Sequence, residues 1–308
     1  MAEKVKSVNA VTGAFGYTGK YIARRLLKLG EPVITLTGHP DQTNEFGALV
    51  KAFPFRFDSP ELMAESLAGV RVLYNTYWVR FDHGNTTHER AVTNTRALLR
   101  AVEIAKVERV VHISITNPNL QSTLPHFRGK ALLEEEIRNA SFSHAIIRPT
   151  VVFSVGDILI NNIAYLLRRA PLFIIPGTGQ YRLQPIYAED LAGIAVDAAH
   201  SSGNMTIDTV GPEIFSFEEL VRLIATTVRS HAFLMHGPPG VVRAAVRVLG
   251  AVLHDVVLTR DELEGLMANL LVSNSAPTGS MRLSSWLAEN AAGLGTSYAS
   301  ELRRHYLS

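Results

Sequence analysis

Three glycines in a single turn carry the clearest chemistry in this sequence. Gly13, Gly16 and Gly19 follow a G-x-x-G-x-x-G spacing. A strand-like run at 7–13 leads into the turn, and a helical pattern at 17–30 follows it. Glycine allows the backbone to turn tightly and to approach a ligand closely, and the N-terminus of a helix attracts negative charge. The pattern therefore predicts a site for the pyrophosphate of a dinucleotide.

The elements that must position this turn alternate along the first two thirds of the chain. Strand-like runs lie at 32–38, 53–57, 70–77, 109–115 and 143–149, with helical patterns near 60–67, 86–105 and 128–139. This alternation predicts a parallel sheet covered by helices on both faces. Helical patterns dominate after about residue 200. We therefore expect an α/β fold with a doubly wound parallel (Rossmann) sheet over 1–203. A smaller, mainly helical lobe for substrate or effector, over 204–308, is expected to pack on it.

Composition excludes several classes of protein. The chain has 308 residues, of which 47% are hydrophobic, and it has no cysteine, which excludes a disulfide scaffold, a thiol nucleophile and thiolate metal sites. A net charge of +2 is too small to predict a nucleic-acid partner. We expect no transmembrane segment and no signal peptide, and hence a cytoplasmic protein. His88 begins a run like H-E-x-x-H, but Val92 takes the place of the second histidine, so no metal ion is expected.

Several longer runs carry a resemblance to a known superfamily. The glycine turn together with RVVHIS, IIRPT and QPIYAEDLA resembles the short-chain dehydrogenase/reductase superfamily, in its extended or atypical branches. Within that superfamily, YNTYWVRFDHGNTTHERAV, FRGKALLE, GDILINNIAYLLRR and GQYRLQPIYAEDLA are most similar to an atypical group. This group is related to the Rossmann-type accessory subunit of respiratory complex I. The resemblance covers most of 8–200 and more loosely 204–308.

The resemblance implies a set of residues that bind the cofactor. The turn would hold the pyrophosphate, Asp58 matches the acid that contacts the adenine amino group, and Lys130 matches the lysine that holds the nicotinamide ribose. The full predicted set is Gly13, Phe15, Gly16, Tyr17, Gly19, His39, Asp58 and Lys130. The second strand ends without the acid that holds the ribose hydroxyls in NAD enzymes, and His39 is the only basic residue there. NADP(H) is therefore expected to be preferred, with NAD(H) as the alternative.

The catalytic positions that the resemblance implies are incompletely filled. The superfamily uses a Tyr four residues before a Lys, together with a Ser or Thr at the end of the fifth strand. Lys130 and Thr116 occupy two of these positions, but His126 stands at the Tyr position. In one interpretation His126 replaces the phenol as general acid. In the other, which we favour slightly, the site has lost its acid and Lys130 only binds the ribose. Tyr77, Trp78, Arg182 and Tyr187 are the expected lining of a substrate pocket.

Two functions therefore stay open at this point. The chain is either an NAD(P)-dependent oxidoreductase or epimerase-like enzyme, or a catalytically impaired dinucleotide-binding sensor or assembly protein, and a homodimer or a protein partner fits either. A long helical pattern at 240–258 is apolar over far more than one face, while Arg243, Arg247 and His254 share a narrow stripe. Burial in the core of the lobe, a partner subunit or a membrane surface would each explain this pattern, although a membrane-surface helix is expected to carry more than two Lys or Arg on its polar face. We instead expect the helix to border a pocket for a lipophilic, quinone-like ligand.

Overall fold

A computed structural model describes residues 8–305. The first seven residues, on which the expectation of no signal peptide partly rests, lie outside this range. The strands are β1 (Val8–Thr12), β2 (Val33–Thr37), β3 (Val50–Pro54), β4 (Val70–Asn75), β5 (Arg109–Ile113), β6 (Ser143–Pro149), β7 (Val152–Phe153), β8 (Leu172–Pro176), β9 (Arg182–Leu183), β10 (Ile186–Tyr187), β11 (Met205–Thr209), β12 (Phe215–Ser216) and β13 (Phe233–Gly237).

Helices separate most of the strands as far as β6, and they dominate after β13. They are α1 (Tyr17–Lys28), α2 (Pro60–Ser66), α3 (His88–Ala105), α4 (Pro125–Arg138), α5 (Leu159–Arg169), α6 (Ala188–His200), α7 (Phe217–Thr227), α8 (Pro239–Leu253), α9 (Arg260–Met267), α10 (Leu283–Asn290) and α11 (Glu301–His305). A short 3₁₀ turn covers Gly47–Leu49. Within residues 8–305, no helix combines the length and the apolar character needed to cross a bilayer.

The chain divides into two compact units. Unit 1 extends to Pro149 and resumes over Ala188–Asp208, and unit 2 comprises Thr150–Tyr187 and the chain from Thr209 onward. Segments of the two units therefore alternate along the chain, whereas the sequence pattern predicted a single boundary after residue 203. The reason is the pairing of β7 with β10 and the burial of side chains from α5 and β9 among those of α7 and α10. These contacts group 150–187 with the C-terminal residues.

Unit 1 is built on a seven-stranded sheet, which confirms the predicted doubly wound fold. The strand order is β11-β6-β5-β4-β1-β2-β3, and β1 pairs in parallel with both β2 and β4. All five residues of β5 are buried, as expected for a parallel strand with helices on both faces. After β3 the chain returns to the other side of β1, which makes the β1–β4 boundary the topological switch point. Ligands of open α/β sheets bind outside the carboxyl ends of the strands at such a point.

Unit 2 has its own apolar core beneath short two-stranded ribbons. Phe153, Leu220 and Leu287 are fully buried in it. The structure changes two expectations for the long helical pattern at 240–258. The helix ends at Leu253, because His254 takes a left-handed conformation with φ 51° and Asp255 donates its backbone N–H to Gly250 O at 3.0 Å. Only Val242 of this helix is buried, so burial in the core of the lobe does not explain its apolar composition.

Candidate functional site

The turn after β1 is shaped by its glycines. Gly13 has a φ of +61°, a conformation in which a side chain is strained. Its N–H donates to Leu36 O on β2 at 2.8 Å, and its carbonyl accepts from the N–H of Gly16 at 2.9 Å. The turn is thus fixed by backbone hydrogen bonds at the end of the two central strands.

The start of α1 is held unusually close to β1. A Cβ at Gly19 would lie 2.2 Å from Gly13 O, and a Cβ at Gly16 would lie 3.2 Å from the same atom. Gly16 is also the N-cap of α1, and it has no side chain to accept from the first N–H groups of the helix. A tight turn, a close helix–strand approach and a helix N-terminus without a side-chain cap are the features that a pyrophosphate requires. The described residues therefore fit a dinucleotide.

The end of β4 is tied to the end of β1. Thr12 Oγ1 accepts from the N–H groups of Thr76 at 2.7 Å and Tyr77 at 3.0 Å, and Thr76 Oγ1 donates to Thr12 O at 2.5 Å. These bonds bring the predicted pocket residues Tyr77 and Trp78 to the switch point. The phenol of Tyr77 accepts from Asn94 Nδ2 at 2.8 Å, and burial raises its pKa.

Two further predicted cofactor residues lie at neighbouring strand ends. His39 is exposed just after β2, and its N–H donates to Thr37 Oγ1 at 3.2 Å. Asp58 is exposed after β3, next to Phe57, whose ring lies 5.0 Å from that of Tyr77. Both side chains therefore lie at the carboxyl edge of the sheet, where the resemblance predicts the adenosine half of the cofactor.

Lys130 is buried on α4 and is engaged by protein atoms. The residue is only 3% exposed, and its Nζ donates to the backbone O of Ile113 at 2.7 Å. The ammonium also lies 4.4 Å from the centroid of the Trp78 indole. Burial, which outweighs the opposing attraction of Glu134, lowers the pKa of Lys130 to about 7.

His126 lies one turn before Lys130 and packs among aromatic rings. Trp78 Nε1 donates to His126 Nδ1 at 3.3 Å, so the proton of the neutral imidazole is assigned to Nε2. Burial and the nearby charge of Lys130 lower the pKa of His126 to about 3. The imidazole is therefore neutral throughout the physiological range.

The two hydroxyls at the end of β5 are both taken by internal partners. Thr116 is fully buried and donates to the backbone O of Arg148 at 3.0 Å. Ser114 donates to Glu134 Oε1 at 2.5 Å. Thr116, His126 and Lys130 thus all lie near the end of β5 and the start of α4, each hydrogen-bonded to another part of unit 1.

Sequence reasoning missed the buried acid in this region. Glu134 is 1% exposed and accepts from Ser114, from Arg138 at 2.6 Å and from two nitrogens of Arg148 at 2.9 and 2.5 Å. Burial by itself raises the pKa of this carboxyl, but the hydrogen bonds from Arg148 and Ser114 outweigh it and hold the pKa below its usual range. The sequence signal was present: Glu134 lies four residues after Lys130, on the same helix face.

A second missed pair lies after β4. Asp82, whose side chain is 57% exposed, accepts from the backbone N–H of His88 at 2.8 Å and lies 2.7 Å from His88 Nδ1. The His88 ring is buried beside those of Trp78 and His126, at centroid distances of 5.8 and 5.6 Å. Among the described residues, no three histidine or acidic side chains are grouped so that they could hold a metal ion.

The remaining predicted pocket residues belong to unit 2. Arg182 is exposed on β9, and its backbone N–H donates to Asn269 Oδ1 at 2.8 Å. Tyr187 on β10 is partly buried, with its ring 5.5 Å from that of Phe153. Their role toward a substrate stays a prediction.

Comparison with known proteins supports a dinucleotide site in unit 1. Residues 13–156 match a family model described as NAD(P)H-binding. NADH dehydrogenase (ubiquinone) 1 alpha subcomplex subunit 9, mitochondrial, of Arabidopsis thaliana is 24% identical over 291 residues, which cover 87% of this chain and 72% of that protein. Divinyl chlorophyllide a 8-vinyl-reductase, chloroplastic, of Oryza sativa subsp. indica is 25% identical over 264 residues, covering 78% and 64%.

A solved structure supports the fold. The NADPH-dependent quinone oxidoreductase QOR2 of Escherichia coli, complexed with NADPH, superposes with a TM-score of 0.72 at 17% identity, covering 93% of this chain and 99% of that one. These similarities support the relation to the atypical short-chain dehydrogenases and reductases that the sequence resembles. The family model and the NADPH-bound neighbour also support a nicotinamide dinucleotide cofactor for the Rossmann domain, as the glycine turn predicted.

Proposed function

We propose that this chain binds its dinucleotide without using it for catalysis and serves as a cofactor-sensing or accessory subunit. One observation carries the proposal. Each side chain at a predicted catalytic position is committed to a protein partner: Thr116 to Arg148 O, His126 to Trp78, and Lys130 to Ile113 O. The short-chain reaction needs a proton donor that reaches the reacting oxygen, whereas these three groups are hydrogen-bonded to other parts of the protein.

The chemistry of His126 supports the same proposal. A general acid works best when its pKa lies near the operating pH. With a pKa of about 3, His126 has no imidazolium proton to give at neutral pH. Because the imidazole is also shorter than a phenol, it would reach less far toward a reacting oxygen, and an error of about 1 Å costs roughly a hundredfold in rate.

The accessory role is supported by the relatives. The Arabidopsis protein is named as a subunit of NADH dehydrogenase (ubiquinone), and its similarity extends over 87% of this chain. An accessory subunit needs the stability and shape that a bound dinucleotide provides, but it does not need the proton-transfer group. We infer that the partner of this chain is another protein of such an assembly.

The glycine turn is proposed to hold the pyrophosphate, with Phe15 and Tyr17 beside it and Asp58 toward the adenine. When bound, the dinucleotide supplies a nicotinamide able to carry a hydride. The preference is proposed to be for NADPH, because no acid follows β2 before Asp41 and the exposed His39 is compatible with a 2′-phosphate. Tighter binding of NADH in a competition titration would overturn this part of the proposal.

One observation favours a second candidate function, an active reductase. Because its pKa is about 7, Lys130 exists as both ammonium and amine near neutral pH. It could then act as the proton donor itself, once a bound substrate displaces its contact with Ile113 O. The relative named as a vinyl-reductase is consistent with this candidate.

Calorimetry with NADPH and NADH, followed by turnover assays with quinones, enones and carbonyl compounds, tests the two candidates. We expect binding with no turnover above background, and no change in that background for Lys130→Met. Turnover that falls at least about a hundredfold in Lys130→Met would establish the reductase. Absence of binding of either cofactor would refute both candidates.

A further inference from the structure

Helix α8 presents an apolar face to solvent. At about 100° per residue, one side of the helix carries only valines and alanines: Val241, Ala244, Ala245, Val248, Ala251 and Val252, all exposed. Val241, Val248 and Val252 are 52%, 66% and 69% exposed. The opposite side carries Val242, which is buried. The helix therefore has two apolar faces, and unit 2 covers only one of them.

The exposed valines bear on the expectation that α8 borders a pocket for a lipophilic ligand. A pocket of about 550 Å³ does border α8, but from this helix only Pro239 and Arg243 line it, and α9 with its C-cap Ala268 supplies the rest of the lining. The exposed valines are not among the lining residues. The outward face of α8 therefore does not border this pocket, and the expectation of a lipophilic ligand stays a prediction.

The ribbon beneath α8 adds further apolar surface. Phe233 pairs in register with Leu172, and these residues are 70% and 40% exposed, with Met235 also 40% exposed on the same side of the ribbon. A Cβ at Gly237, which shares that side, would lie 3.9 Å from Val242 Cγ2. Helix α8 thus covers one end of this ribbon face and leaves the Phe233 end bare, so both apolar surfaces look outward on the same side of unit 2.

The charge carried by α8 has one sign. Residues 220–254 contain four arginines and no aspartate or glutamate. Arg243 and Arg247 are exposed along one edge of the α8 face, and Arg229 is exposed in the turn before β13. Of the acids around it, Glu218 pairs with Arg222 and with His236 of β13, Glu264 pairs with Arg260 at 2.5 Å, and the buried Asp255 accepts from the backbone N–H groups that begin α11.

We propose that this surface, formed by the outward face of α8 and the Phe233 end of the ribbon, docks on an anionic lipid bilayer. An interfacial helix combines an apolar face with cationic side chains at its border, and anionic headgroups attract arginine. A second copy of the chain is a poorer occupant, because pairing two such surfaces would bring arginines together without any acid between them. Lipid headgroups supply the missing negative charge without a complementary protein surface.

Vesicle co-sedimentation with the full chain tests the proposal. Vesicles of phosphatidylglycerol and phosphatidylcholine should capture the wild type, and vesicles of phosphatidylcholine alone should capture far less. Val248→Glu/Val252→Glu should lower partitioning on anionic vesicles at least about tenfold, since it places charge in the interface. Arg243→Gln/Arg247→Gln should lower it by about thirtyfold at low salt and less at high salt. Leu49→Glu, at a position 70% exposed in unit 1, is the matched control and should bind as the wild type does.

A site-specific label gives an independent measurement. The chain has no cysteine, so Val248→Cys and Leu49→Cys each provide a single labelling position for an environment-sensitive fluorophore. We expect a blue-shifted, brighter emission at position 248, and not at 49, when anionic vesicles are added. Circular dichroism melting of each variant checks that the fold is retained.

Two kinds of result would overturn the proposal. The first is a wild type that stays in the supernatant with anionic vesicles, or a well-folded Val248→Glu/Val252→Glu variant that partitions as the wild type does. The second is a wild type that sediments as a dimer in the absence of lipid and becomes monomeric with Val248→Glu/Val252→Glu, because the surface would then be an interface between copies.

Discussion

The glycine turn and the end of β5 with α4 belong to the same unit and match the same family pattern. The turn has the backbone geometry of that pattern, whereas β5 and α4 have matching residue types whose polar atoms contact other parts of the protein. In the turn, the matching features are backbone: a positive φ at Gly13 and a close approach of Gly19 to Gly13 O. On β5 and α4, the matching residues Thr116 and Lys130 are present, but their polar atoms are bound to backbone carbonyls of unit 1.

Under the proposed function, this comparison gives a physical reason for dinucleotide binding without catalysis. A site made of backbone persists as long as its glycines persist, because the surrounding strands fix its geometry. A site made of side chains depends on each one facing the ligand, and the loss of one member removes the reason for the others to do so. In this chain His126 takes the place of the phenol, and Trp78 now covers both His126 and Lys130.

The largest effect is expected from adding a side chain to the turn. Gly16→Val places a Cβ 3.2 Å from Gly13 O and a branched side chain where the pyrophosphate meets the backbone. We expect dinucleotide affinity to fall at least about a hundredfold in calorimetry, with the fold largely retained. Gly203→Val is the control, because a Cβ there meets nothing within 4 Å. Equal dinucleotide affinity of both variants would contradict the assignment of the glycine turn as the pyrophosphate site.

A large effect on stability is expected from the buried acid of α4. Glu134→Gln removes the charge that two arginines share, and loss of one partner of a buried ion pair costs about 3 kcal/mol in the free energy of unfolding. Glu136→Gln on the same helix, whose partner Arg96 is exposed, should cost at most about 1 kcal/mol. Urea denaturation measures both values, and similar losses would contradict the structural role assigned to Glu134.

The pH dependence of the same variant has a definite sign. The folded pKa of Glu134 lies below its ordinary value of 4.5, so the folded state binds fewer protons than the unfolded state as the pH falls through that range. The stabilisation is therefore complete above pH 4.5 and is lost as the pH falls through the folded pKa. The difference in stability between wild type and Glu134→Gln should narrow accordingly, and a constant difference would contradict this assignment.

A smaller effect is expected at the edge of the cofactor site. Gly38 follows β2, and a Cβ there would meet nothing within 4 Å, so a side chain fits. Gly38→Asp introduces the acid that NAD enzymes use to hold the ribose hydroxyls. Competitive titration should show the NADPH:NADH preference shifting toward NADH by about tenfold. Gly38→Asn, with the same shape and no charge, should shift it far less, and an equal shift by both variants would exclude the charge as the cause.

The smallest effect is expected at the former Tyr position. If the site is silent, His126→Ala should change cofactor affinity by no more than about twofold and leave background NADPH oxidation unaltered. Circular dichroism melting checks the fold, because the variant leaves Trp78 Nε1 without its acceptor. Robust wild-type turnover that falls about a hundredfold in His126→Ala would restore the interpretation of His126 as general acid.

The sequence by itself determined the features that depend on local pattern. Periodicity and the glycine spacing predicted the doubly wound sheet and the dinucleotide turn, because hydrophobic repeats and backbone freedom are properties of neighbouring residues. The missing acid after β2 and the histidine at the Tyr position could also be read directly. The glycine turn is also one of the motifs that carry the family resemblance.

Only the tertiary structure decided which side chains are available. The hydroxyl of Thr116 donates to a carbonyl that β6 supplies, and the exposed Asp82 accepts from the backbone N–H of His88, and neither contact could be read from the spacing. The grouping of 150–187 with the C-terminal residues also depended on contacts distant in sequence. Helix α8 has the composition of a buried helix, but unit 2 packs against only one of its sides. Such outcomes depend on which partners the fold brings within hydrogen-bonding or van der Waals distance, and the spacing of residues along one chain does not contain that information.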